Sequence, residues 1–119
     1  MKHNLTLTDL IINRDDGPYS NRASIEIVAT INGNMIRHIS RPFVPYMNED
    51  VEIEFKDALS GICLQAVCYL QNRNIEVFYP AGMTLHEKLS TFNLKQTTLF
   101  SKAMHDELFW THVITEAIW

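Results

Sequence analysis

Residues 23–39 read ASIEIVATINGNMIRHI, and this stretch decides the fold. Ile25, Ile27, Ala29 and Ile31 fall on one face of an extended chain, and Glu26, Val28 and Thr30 on the other. That is the period-two pattern of a half-buried strand. Asn32-Gly33 follows, then Met35-Ile36-Arg37-His38-Ile39. Asn-Gly between two β runs is the strongest short-range hairpin signal. Two registers compete. A two-residue turn sets Ile36 and His38 beside the Ile25–Ile31 face, and a three-residue turn over Asn32–Asn34 sets Met35 and Ile39 there. The second matches apolar with apolar and is the register expected.

Upstream, Leu5 and Leu7 alternate with Thr6 and Thr8, and Leu10-Ile11-Ile12 follows, a further β pattern. Asp15-Asp16-Gly17-Pro18 supplies turn chemistry before the hairpin. Downstream, Pro42 and Pro45 end the extended run. Asn48 then suits a helix N-cap, with acids in the first turn as the helix dipole favours. Phe55, Ala58, Leu59, Ile62, Ala66, Tyr69 and Leu70 form one stripe at three- and four-residue spacing. A short strand over 51–55 is the alternative there, since Val51, Ile53 and Phe55 alternate with glutamates. Ile75 to Tyr79 reads as a returning strand. Residues 84–92, 95–104 and 105–118 read as helices. The expected fold is therefore α+β. A small antiparallel β-sheet of three to four strands (4–12, 23–31, 35–41 and 75–79) is packed by a helix near 50–72 and by C-terminal helices, in one domain spanning 1–119.

Composition narrows the function classes. Of 119 residues, 46% are hydrophobic and 20% charged, ordinary globular material. Cys63 and Cys68 are five apart in the predicted helix, a rotation of about 140° that aims the two sulfurs at different faces. Unpaired thiols suit a reducing compartment. The start of the chain leads into alternation rather than an apolar run, and no stretch approaches a membrane span, so a cytoplasmic location away from membranes is expected. A net charge of −4 argues against direct nucleic-acid binding, which needs a basic footprint.

Motifs that carry chemistry are scarce. His86-Glu87 lacks the second histidine of a zinc-protease helix, because residue 90 is Ser90. Gly17, Gly33, Gly61 and Gly82 are too dispersed for a phosphate-cradling loop. His105, His112 and Glu116 fall within about 40° of one another on a helical wheel, opposite Phe109, Trp110, Val113 and Ile114. Seven residues of helix separate the two histidines by about 10.5 Å, too far for one zinc ion, so a solvated polar face is the better reading. No metal and no cofactor are expected.

Two features point to a partner. The run Glu49, Asp50, Glu52, Glu54 and Asp57, against Lys56 alone, makes the negative charge local and would steer a basic protein; its other reading is a helix N-terminus rich in acids. Tyr19, Phe43, Tyr46 and Trp119 are aromatic residues of the kind that anchor interfaces. Phe43 and Tyr46 also suit a lid over the core where sheet meets helix. The leading expectation is a small intracellular binding or inhibitor protein acting by surface complementarity, of mobile-element, immunity or anti-defence character. A homo-oligomer is compatible with the sequence. The alternative is a small enzyme whose site is assembled from dispersed histidines and carboxylates, such as the helix histidines with Glu116, or His38.

Overall fold

The computed structural model describes residues 2–14, 22–44, 48–72 and 79–97. Its elements run β1 (His3–Arg14), β2 (Ala23–Ile31), β3 (Asn34–Ile39), α1 (Asn48–Gln71), α2 (Leu85–Ser90) and β4 (Phe92–Gln96). The strands form one sheet in the order β3-β2-β1-β4. β1, β2 and β3 pair antiparallel in succession, and β4 lies parallel to β1. The architecture is α+β as expected, with a sheet that is mixed rather than wholly antiparallel.

The hairpin corrects the expected register. Ile31 pairs with Asn34, Ala29 with Ile36 and Ile27 with His38, so the turn holds two residues. Asn32 has φ 49° and Gly33 φ 84°. Positive φ at both central positions is the type I′ turn, whose twist matches that of the flanking strands. Turn geometry outweighs the apolar matching that favoured the longer loop. Met35 and Ile39 consequently face outward.

β1 contains a bulge. Leu7 opposes Ala29 and Asp9 opposes Val28, leaving Thr8 as the extra residue. Thr8 Oγ1 donates to the Val28 carbonyl at 2.9 Å, which anchors the irregularity. One inserted residue reverses the alternation. Leu5 and Leu7 point into the core before the bulge and Leu10 packs against it afterwards, while Asp9 avoids burial in an apolar layer.

α1 covers the inner face of the sheet. The stripe predicted for it is buried: Phe55, Ala58, Leu59, Ile62, Ala66 and Leu70, joined by Cys63 and Val67, meet Leu5, Leu7 and the Ile25–Ile31 row. Tyr69 packs on the margin. Residues 51–55 are helical, which removes the strand alternative.

The C-terminal readings need two corrections. Phe92–Gln96 is a strand, where helices over 84–92 and 95–104 were expected. Phe92 is buried and Leu94 packs against the core, so period-two burial beside β1 outweighs helical spacing. The helix beginning after Thr84 ends at Ser90. Of the expected strand 75–79 only Tyr79 is among the described residues, and it is not in a strand. The expected helix 105–118 lies outside them.

Candidate functional site

The acidic run is divided by the fold. Glu54 is buried and its Oε1 accepts from Arg41 Nη2 at 3.4 Å, so its charge is neutralised within the chain. Asp57 is exposed on α1. The side chains of Glu49, Asp50 and Glu52 lie outside the described set. Among the aromatics, Phe43 is buried and its backbone bridges to Ala23, with mutual N–H to carbonyl bonds of 2.9 and 2.8 Å. Phe43 thus closes the core at the end of the sheet. Tyr19, Tyr46 and Trp119 lie outside the described residues, as do His105, His112 and Glu116.

The described histidines are engaged in different ways. His3 Nδ1 meets Asn32 Nδ2 at 3.0 Å beside the hairpin turn. His38 lies on the inner face of β3, and its imidazole fills the space that a methyl group on Gly61 of α1 would occupy. Burial lowers its pKa from the ordinary histidine value. His86 is exposed on α2. Among the described residues no three His, Cys, Asp or Glu side chains are placed to hold a metal ion.

Among the described residues, two surfaces have chemistry available to a partner. The first is the outer face of the sheet at β3. The Ser40 N–H donates to the Ile25 carbonyl at 2.8 Å, and Ser40 Oγ accepts the Ile25 N–H at 2.8 Å. Counting back along the ladder, Asn34, Ile36 and His38 bond toward β2. The backbone groups of Met35, Arg37 and Ile39 therefore point away from β2, to an edge that no described strand covers. Their side chains share the outer face, with Met35 66% and Ile39 51% exposed. Arg37, between them, makes a 3.8 Å ion pair with Glu26. Glu26 is buried although it lies on this face, and Asn13 Nδ2 donates to it at 3.4 Å.

The second is a cleft of about 310 Å³ between α1 and the segment 79–88. Ser60, Gly61 and Leu64 form one wall and Tyr79 to Met83 the other, with Lys88 of α2 reaching in. Lys88 Nζ donates to Ser60 Oγ at 2.9 Å. Behind the cleft, burial pushes the Cys63 thiol up to about 11, against the opposing pull of the Lys88 charge and a hydrogen bond with Tyr79. Burial likewise raises the Tyr79 phenol to about 12. That hydroxyl lies 3.5 Å from the Lys88 carbonyl, to which it donates, and 3.3 Å from Thr91 Oγ1. Both groups are neutral at physiological pH.

Compared with protein-family models, curated proteins and solved structures, the chain matches none. No described helix is long and apolar enough to cross a membrane.

The expected site residues are not gathered into one place by the described part of the fold. Sequence reading missed both surfaces. Outward display of Met35 and Ile39 depends on the hairpin register. Ser60 and Lys88 are 28 residues apart and meet only through tertiary packing. Gly61, alone inside an apolar helical stripe, was a signal of close approach.

Proposed function

We propose that the chain is a small protein-binding domain of the inhibitor type, acting by surface complementarity. The observation that supports this reading is the β3 edge. Met35 and Ile39 flank Arg37 on an exposed strand whose outward N–H and carbonyl groups have no partner among the described residues. Exposed edges of this kind usually carry protection in the form of charge, proline or a covering segment. Here two large apolar side chains accompany a single arginine. Addition of a partner's strand to such an edge draws affinity from main-chain hydrogen bonds and selectivity from alternate side chains. The net charge of −4 favours a basic protein as the partner, through long-range steering.

The test is affinity capture from the native host with two baits, wild type and Met35→Lys/Ile39→Lys, matched by circular dichroism and thermal melting. A protein retained by the wild type and lost with the double variant supports the reading. Equal retention by both baits removes β3 from it.

A further inference from the structure

The cleft beside α1 holds a charge imbalance. Lys88 is partly buried, and one of its three ammonium donors goes to Ser60 Oγ. The described ion pairs lie elsewhere, Arg37 with Glu26 and Arg41 with Glu54. No carboxylate among the described residues is within ion-pair distance of Lys88. The Cys63 thiol and the Tyr79 phenol, which lie beside the cleft, keep their protons well above neutral pH. The described residues therefore supply no negative charge here, and a partly buried cation favours an anion brought from outside.

The geometry of the donors narrows the anion. Ser60 Oγ accepts from Lys88, so its hydroxyl still has its one hydrogen to donate. Ammonium and hydroxyl stand side by side, two donors for the two oxygens of one carboxylate. The walls add an apolar requirement. Leu64 is 56% exposed at the mouth, and Pro80, Ala81 and Met83 face it. At about 310 Å³ the cleft is at the small end of ligand pockets. We propose that this cleft binds a small organic carboxylate, its acid group held by Lys88 and Ser60 and its compact apolar body lying between Leu64 and the 80–83 segment. The site is on the helical side of the molecule, independent of the β3 edge, so the two readings fail separately.

The probe is sodium benzoate, titrated into isotopically labelled protein and followed by amide chemical shifts, with sodium chloride as the ionic-strength control. Saturable shifts are expected at Ser60, Gly61, Leu64, Gly82 and Lys88. Benzamide, equal in shape but uncharged, should bind at least about tenfold more weakly, the loss expected when a charge-assisted hydrogen bond is removed. Lys88→Met should cause a comparable loss with folding verified by its spectrum. Ser60→Ala provides a second variant, expected to weaken benzoate several-fold while leaving benzamide unchanged. Four results would overturn the proposal: shifts that stay linear with concentration, equal affinity for benzamide, undiminished binding in both variants, or inorganic phosphate producing the same shifts with equal affinity. The last would show a bare charge attracting any anion.

Discussion

Replacing Gly61 by alanine sets two effects of opposite sign against each other. In the interior of a helix alanine is favoured over glycine by roughly 0.8–1.0 kcal/mol. At Gly61 the added methyl meets the His38 ring. Either the imidazole is displaced from the sheet–helix interface or α1 moves away from β3. Overpacking of this kind costs about 1–3 kcal/mol. Gly61→Ala should therefore range from neutral to destabilising by about 2 kcal/mol. Removing the ring first reverses the sign: in a His38→Ala background the same substitution should stabilise by about 1 kcal/mol. The coupling between the two positions is then about 1–3 kcal/mol, well beyond the few tenths expected of independent sites. Urea denaturation of the four proteins at pH 7.5, with common slopes, measures it. A gain of about 1 kcal/mol from Gly61→Ala in both backgrounds would refute the close packing of helix on histidine.

Three further outcomes follow from the same structure. His38 has a lowered pKa in the folded chain, so the unfolded chain takes up its proton first as pH falls; stability should be full above about 6.5, decline below it and level off beneath the folded value, and His38→Gln should flatten that part of a urea-midpoint series. Ser40→Ala should cost about 1–3 kcal/mol in chemical denaturation, because the buried Ile25 N–H loses the acceptor that completes the ladder; a cost below about 0.5 kcal/mol would contradict that bond. Of the two thiols, exposed Cys68 should react with a chromogenic disulfide at pH 8 in the native protein and Cys63, buried and raised to about 11, only on unfolding; two native equivalents would show that the core admits reagent.

How much of this was legible depended on whether the deciding forces were local. The strand 23–31, the Asn-Gly turn and the stripe from Phe55 to Leu70 are local patterns, and each forms the expected element. The register failed because two local signals disagreed, apolar matching of Met35 and Ile39 against the backbone twist of a type I′ turn. β4 was hidden because Leu85, Leu89 and Phe92 repeat at helical spacing across a helix end, and the strand itself has only Phe92 and Leu94 to show a period of two. The end of α2 is set by capping at Thr91. Its start had a readable sign in Thr84 and Glu87, whose side chains bond each other at 3.1 Å while Thr84 Oγ1 accepts the Glu87 N–H. The cleft had none, since a lysine and a serine 28 residues apart acquire meaning only when α2 meets α1.

The pairing of β4 with β1 also sets an order of events during synthesis. β1 to β3 can close as soon as residue 39 is available, whereas the other flank of β1 waits for residues 92–96. At roughly 5–20 residues per second that interval lasts several seconds. Throughout it the nascent sheet presents Leu5 and Leu7 on a strand with one side unpaired, a template for strands of other nascent chains. Synonymous codons that slow residues 40–96 are therefore expected to lengthen this interval and favour aggregation with no change to the native protein.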